Sequence, residues 1–326
     1  MAVAFPNDVA VYGRSYQGQT VEFQNLLSLQ FESDRFSPAD SLQFSAAGDA
    51  PERISWIRMT LGGSLFFEGI VDQQQKVIGQ NGSYVSFTCR QTTGRMLDNE
   101  VRPRWYYGLS SEQLIRDHAL PYGAAGAALP KAAVLPQILA KKGCSHWEFI
   151  TLFCRLAYHR SPYLNREGMI TCEPFQKKEH LFSNSSTNGI PFVEAKLTDD
   201  RYLLLSRVWV KTGQDGTGAS YRYSLSQSGV ETLGILRERY YHPETEWNGD
   251  PALAARQYYE DRQAGYFEIV LTVPGLLDVR AGDSARFEDQ TKRYGNLYVT
   301  RVRLISDSDG NRTQITLWEQ NGLVNL

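Results

Sequence analysis

Ser64-Leu65-Phe66-Phe67-Glu68-Gly69-Ile70-Val71-Asp72-Gln73 leads through Asn81-Gly82 into Tyr84-Val85-Ser86-Phe87-Thr88-Cys89. The first run is apolar and β-branched enough to read as a strand, and it opens on the turn Gly62-Gly63. Asn-Gly supplies the two positive-φ residues of a tight hairpin. In the returning run Val85, Phe87 and Cys89 fall on one face, the alternation of a half-buried strand. Towards the N-terminus, Thr20 to Phe23, Leu27 to Glu32, Ser41 to Phe44 and Ile54 to Leu61 read as further short strands. Leu27, Leu29 and Phe31 are expected to share a face. Short strands with frequent turn signals predict a sandwich or barrel rather than alternating βα units.

A similar design returns near the C-terminus. Gly295-Asn296-Leu297-Tyr298 leads to Val302, then Gly310, then Thr313-Gln314-Ile315-Thr316-Leu317. In the same way Gly63-Ser64-Leu65-Phe66 leads to Ile70-Val71, Gly82 and Val85 to Cys89. The echo predicts two related β-modules, although chance likeness between hairpins would produce it equally well.

The middle of the chain differs in character. Ser110 with Gln113 and Ser145 with Glu148 are capping boxes, predicting a helix to about Ala119 and another from His146 to about His159. Phe149, Ile150, Phe153, Cys154, Leu156 and Ala157 make the second helix apolar on most of its surface, so it is expected to be buried. Leu120 to Leu139, rich in Ala, Gly and Pro, reads as loop with a short helix at best. Met169 to Cys172 reads as a strand ending at Pro174. Tyr202 to Lys211 and Tyr221 to Leu225 are expected strands either side of a turn at Gly213 to Gly218. Asp250-Pro251 starts a helix to about Gln263. The expected fold is mainly β (α+β): a first β-barrel module over 1–94, an α+β insert over 95–182, and a second β-barrel module over 183–326 carrying one helix at about 250–264.

Composition bounds the function. The chain has 326 residues, 42% hydrophobic and 21% charged, as in a folded globular protein of two or three domains. Its 34 Lys+Arg and 36 Asp+Glu leave a net charge of −2, so no global attraction to nucleic acid or anionic membrane is expected. No apolar run approaches the length of a membrane-spanning helix, and the N-terminus lacks the pattern of a secretory signal. Cys89, Cys144, Cys154 and Cys172 show no CxxC spacing, which argues against a disulfide framework or zinc module and for synthesis in a reducing cytoplasm.

No motif carries chemistry. A phosphate loop and a nucleophile elbow are absent from the sequence. Gly213 to Gly218 has no helix behind it and reads as a hairpin turn. Asp307, Asp309 and Asn311 resemble the start of a calcium loop, but the Gly falls at position four and position twelve is Trp318, so a polar turn is expected. The histidines (His118, His146, His159, His180, His242) form no paired ligand spacing. Cys144 and His146 are near neighbours at a helix start, where His146 is expected to be a first-turn surface residue. Glu68, Asp72, Glu244 and Glu246 are the acids that a glycosidase reading would use. Arg102 to Tyr107 and Arg237 to Tyr241 alternate Arg with aromatics, a pattern suited to stacked bases or sugars and, at this net charge, better suited to a protein interface. The expectation is no catalytic, cofactor or metal residue.

The motifs assemble in a familiar order. Phe67-Glu68-Gly69-Ile70-Val71-Asp72, followed by Phe87-Thr88-Cys89-Arg90 to Met96-Leu97-Asp98, resembles phage baseplate hub proteins of the late control protein D group, related to the hub part of VgrG-type spikes. Gly143-Cys144-Ser145-His146-Trp147-Glu148-Phe149-Ile150 resembles that family's "G-x-S-x-W-x-x-(I/L)" helix start, and Tyr163 to Pro174, with Gly168, the strand after it. Val273-Pro274-Gly275 and Arg280-Ala281-Gly282-Asp283 resemble its "V-P-G … P-G-D" stretch. Arg280-Ala281 departs from it where Pro is more usual, at residues not expected to be catalytic. The resemblance spans about Phe23 to Leu317. It implies a structural homotrimer in which two barrels per chain make a pseudo-six-fold ring between the tail tube (or a tube-initiator protein) and the central spike, in contact with other baseplate proteins. It implies assembly into a virion tail or injection particle after synthesis in the host cytoplasm, with wall-degrading or piercing activity expected in a separate chain. A tail-associated cell-wall glycan hydrolase and a carbohydrate-binding module are the competing classes.

Overall fold

The computed structural model describes residues 9–49, 53–80, 82–173, 178–212, 220–243 and 250–319. The N-terminal module holds β1 (Val9–Ser15), β2 (Thr20–Glu22), β3 (Leu26–Asp34), β4 (Ser41–Ala47), β5 (Ile54–Leu61), β6 (Ser64–Gly79) and β7 (Gly82–Arg90). An α+β region follows: α1 (Arg95–Asp98), β8 (Arg104–Ser110), α2 (Ser111–His118), β9 (Gly126–Ala128), β10 (Val134–Ala140), α3 (His146–Tyr158), β11 (Tyr163–Leu164) and β12 (Met169–Thr171). The C-terminal module begins with β13 (Glu179–Ser183) and β14 (Glu194–Asp199). It is interrupted by β15 (Arg207–Val210), β16 (Tyr223–Ser226), α4 (Ser228–Thr232), β17 (Glu238–Tyr241) and α5 (Pro251–Gln263). It ends with β18 (Phe267–Pro274), β19 (Ser284–Glu288), β20 (Arg293–Asp307) and β21 (Gly310–Glu319). The fold is mainly β.

Both modules belong to one 13-stranded sheet. In the first the strands lie in the order β3-β4-β7-β6-β5-β1; in the second the order is β14-β18-β21-β20-β19-β13. The two orders match strand for strand in sequence rank, with β2 as an added edge. Register matches too. The β6–β7 hairpin slips between Val71 and Gln73, and the β20–β21 hairpin slips between Val299 and Arg301, so each long strand is bulged at the same level. Cys89 opposite Leu42 corresponds to Leu317 opposite Ile269. Each hairpin closes on a glycine with positive φ, Gly82 (118°) and Gly310 (107°), a backbone that other residues enter at a cost. Only the first strand differs: β1 runs antiparallel to β5, whereas β13 runs parallel to β19.

The sequence echo is thus real in its second half, Val85 to Cys89 matching Thr313 to Leu317. Its first half is out of register: Gly69 and Ile70, not Leu65 and Phe66, stand where Leu297 and Tyr298 stand. Another expectation fails at β3. A bulge between Leu26 and Ser28 turns Leu26 inward and leaves Leu27 exposed.

One apolar core runs through both modules, from Val11, Phe31 and Phe87 to Leu271, Val302 and Leu317. The α+β region has its own core around Leu114, Ile138, Phe149 and Phe153. The expected helices are there: Ser110 Oγ accepts from Gln113 N–H, and Ser145 and Glu148 form the full capping box of α3. Leu120 to Leu139 is less irregular than expected, since β9 and β10 lie largely within it. β10 pairs with β8 and carries Pro136 between Leu135, opposite Leu109, and Gln137, opposite Tyr107. The ladder skips Pro136 itself, so the residue sits as an interruption within the ribbon.

The excursion between β14 and β18 takes the place of the short β3–β4 turn. It packs the sheet β16-β15-β17 against α5 around Val208, Val210, Ala255 and Tyr259. Asp250 caps α5 through Ala252 N–H, as the Asp-Pro start predicts. Arg201 to Leu203 is a 3-10 turn rather than the start of the expected strand. The turns at Asn81 and Gly213 to Gly218, Pro174, and the acids Glu244 and Glu246 lie outside the described residues.

Candidate functional site: the seam between modules and the open sheet edges

The modules are joined backbone to backbone. β3 pairs antiparallel with the C-terminal half of β20, Phe31 opposite Leu304 and Gln30 opposite Ile305. Alternation then sets Glu32 beside Arg303 and Asp34 beside Arg301, and the four form ion pairs: Arg301 to Asp34 at 2.7 Å, Arg303 to Glu32 at 3.1 Å and Arg301 to Glu32 at 3.4 Å. Arg35, at the end of β3, lies over the rings of Tyr163 and Tyr298, 4.6 Å from each centroid, and so touches all three parts of the chain.

A buried charge network completes the seam. Asp283, 0% exposed, accepts from Arg166 Nη2 at 2.7 Å, sits 2.9 Å from His180 Nε2 and accepts from Arg280 N–H at 3.0 Å. Burial raises the Asp283 carboxyl, but hydrogen bonds from His180 and Arg166 outweigh this and hold it below the usual range. Asp278 binds Arg166 and Lys178 at 2.9 and 2.8 Å. Burial opposes its ionisation, yet these two cations take it down to about 2. Arg280 reaches into the other module. Its guanidinium lies 3.6 Å from the Phe66 ring centroid, donates to the Phe66 carbonyl and pairs with Asp40 at 3.2 Å. Burial lowers the Arg280 pKa and raises that of Asp40, against their mutual attraction. Arg280 is thus a principal tie between modules, a role for which its sequence position gave no signal. Asp283 is 117 residues from Arg166 and 103 from His180.

The weighed chemical candidates take structural places. Glu68 pairs with Arg58 at 3.0 Å, and Asp72 with Arg90 at 2.7 Å. Asp307 binds Arg312 through both oxygens, at 2.9 and 2.8 Å, which makes the Asp307–Gly310 turn a salt-bridged hairpin. His146 is buried, contrary to the surface expectation. Its Nδ1 lies 3.0 Å from His118 Nδ1 and its Nε2 2.9 Å from the Tyr122 hydroxyl. Burial, with the neighbouring His146, lowers the His118 pKa to about 4. The Cys144 thiol contacts the Ser145 carbonyl at 3.5 Å and packs against the core of the α+β region. Among the described residues no group of three His, Cys, Asp or Glu could hold a metal ion, and no helix is long and apolar enough to cross a membrane.

The Arg/aromatic stretches land on two of the three small sheets, at β8 and β17. Trp105 and Tyr107 stack on β8, 6.5 Å between centroids. Trp209 and Tyr240 stack across β15 and β17 at 6.3 Å and 11°, with Glu238 accepting from both Trp209 Nε1 and Arg207. Tyr107 and Tyr240 are well exposed.

Among the described residues several strands have an open side, and two such stretches in the large sheet are β14 and the outer part of β6. β14 ends the large sheet and pairs only with β18. β6 beyond Asp72 pairs only with β7, because β5 stops opposite Ile70. These edges expose Val193, Leu197, Val77 and Ile78.

No protein-family model matches the chain, and no curated protein sequence matches it. Solved structures do. A prophage MuSo2 43 kDa tail protein of Shewanella oneidensis matches with a TM-score of 0.75 and 10% identity over 98% of each chain. A tail protein of Neisseria meningitidis matches with a TM-score of 0.74 and 16% identity, over 97% of this chain and 98% of that one. A chain of the Francisella PdpA–VgrG complex matches at 0.55 and 12%, over 98% of this chain and 58% of that one. At such identities the likeness is one of fold. The chain has the fold of phage tail proteins and of a VgrG-complex chain, in agreement with the resemblance read from its motifs.

Proposed function

We propose that this chain is a structural baseplate hub protein of the late control protein D type, in a phage tail or related contractile injection system. Three copies form a pseudo-six-fold ring that joins the tail tube or its initiator to the central spike, among other baseplate proteins. Residues 1–94 and 183–326 supply the two barrel modules and 95–182 the buttress between them, except that β13 (Glu179–Ser183) pairs into the second module. The chain is made in the host cytoplasm, incorporated into the particle, and has no catalytic role.

The observation that carries this reading is the duplicated strand order, with its matched bulges, inside one chain. Two equivalent modules per chain let three chains present six similar faces to a six-fold tube, while the assembly keeps a three-fold axis for a spike. The tail-protein and VgrG-complex neighbours support the same role. A solution mass near 111 kDa, three times 36.9 kDa, by light scattering across a concentration series is the expected result, with an annulus in negative-stain images. A stable monomer throughout, with or without a spike or tube partner, would remove the ring. The exposed Tyr240 stacked on the part-buried Trp209 favours carbohydrate binding as the second reading. A glycan array with zymography separates it: a hub gives neither specific binding nor clearing.

A further inference from the structure

We propose that the copies in this assembly are joined by strand pairing between β14 of one chain and the outer half of β6 of the next, in the register of the β3–β20 seam. The inference rests on the hub reading and names the surfaces that the ring uses.

The seam inside the chain is the template. Superposing the strand orders puts β14 where β3 is and β6 where β20 is. Register carries the match to single residues. Phe31 lies opposite Leu42 in β4, and Leu197 opposite Ile269 in β18, the strand equivalent to β4. Leu304 lies opposite Thr313, and Lys76 opposite Val85. Leu304 pairs with Phe31 in the seam, so Lys76 should pair with Leu197 of the next chain. By the same transfer Val77 meets Lys196, Ile78 meets Ala195 and Gln75 meets Thr198.

Exposure supports the transfer. In the seam Phe31, Leu304 and Ser306 are each 0% exposed. Their counterparts at the open edges are not: Leu197 is 40% exposed and Ile78, which matches Ser306, 76%. Neither open segment contains Pro, and neither is covered by a helix or strand among the described residues, two of the usual protections of a free edge; each carries one lysine, Lys76 and Lys196. β2, at the opposite end of the sheet, is by contrast only three residues long. The proposed contact is heterologous, since β14 and β6 are different surfaces, and a repeated heterologous contact closes into a ring when its rotation divides the circle. The seam already contains one such step within the chain.

The test is a pair of cysteine substitutions in the full-length chain, on a Cys144→Ser background so that the half-exposed thiol does not interfere. Val77→Cys with Lys196→Cys should give covalent species ending at a trimer on non-reducing gels after mild copper-phenanthroline oxidation. Each single variant should stay monomeric on the same gel, and Val77→Cys with Thr198→Cys should link poorly. Separately, Leu197→Asp and Ile78→Asp, both at exposed positions, should leave the unfolding midpoint unchanged and move assembly to concentrations at least about tenfold higher. A trimer by mass that neither crosslinks in this register nor responds to the Asp variants overturns the edge pairing and leaves the ring standing. A monomer that does not crosslink at any concentration overturns both.

Discussion

Phe31 and Leu197 stand at the same register position in equivalent strands, each opposite an inward apolar residue of the next strand. Phe31 is fully buried and makes edge contacts with Phe66 and Phe67, centroids 4.8 and 6.2 Å away, while Leu197 is 40% exposed. Two things differ: Phe66 and Phe67 on β6 of its own module close over Phe31, and β20 flanks β3 while nothing among the described residues flanks β14. The same register position thus serves as core in one module and as surface in the other.

The sharpest way to break the comparison is to remove the charge at the centre of the seam. Asp283→Ala leaves Arg166 and His180 without their buried partner and should cost about 3–5 kcal/mol, read as a lower urea midpoint. Phe31→Ala should lose about 3–5 kcal/mol by opening a cavity, while Leu197→Ala in the monomer should lose under about 1 kcal/mol. Equal losses at the two positions would show that β14 is already covered in the free chain.

Acid should separate the regions. His118, lowered to about 4 by burial and by His146, stays neutral where an unfolded histidine takes up a proton. Its share of stability is complete above pH about 6.5 and drains away as the pH falls towards 4. The carboxyls of Asp278 and Asp283 are lowered, so their contribution is present above pH about 4 and is lost below it, towards about 2 for Asp278. Hydrogen exchange should therefore show α3 loosening between pH 6.5 and 4 while β20 and β3 stay protected until lower pH. Simultaneous loss would mean that the α+β region and the seam unfold as one unit. The smallest effect is expected at Glu68→Gln. This breaks an exposed pair with Arg58 and should shift stability by no more than about 0.5 kcal/mol, and under the hub proposal a peptidoglycan zymogram should be the same before and after the change.

Local signals were legible in proportion to how local their causes are. The caps of α2, α3 and α5 depend on residues two or three apart, and they read correctly from Ser110, Ser145 and Asp250. The hairpins at Gly82 and Gly310 likewise carry their own turn chemistry. Alternation is reliable only while the register holds, so the bulge at Leu26 reversed the expected face of Leu27. β10 was hidden by Pro136, at which the pairing with β8 skips one position. None of the side-chain ion pairs of Arg166, Arg280 and Asp283 across the seam was foreseeable, because they join residues a hundred or more apart whose charge alone fits any surface ion pair.

By itself, the amino-acid sequence determined the mainly β character of this protein, its capped helices, its glycine-closed hairpins and the ordered motifs that resemble tail hubs. Each of these depends on the intrinsic preferences of neighbouring residues. Only the tertiary structure decided that the two hairpins belong to matching six-strand orders, that β3 rather than β14 is covered, and that Arg280 crosses between modules. The reason is that strand pairing is a choice among distant partners. The backbone offers the same hydrogen bonds everywhere, and only the packed fold determines which edges meet and which stay open.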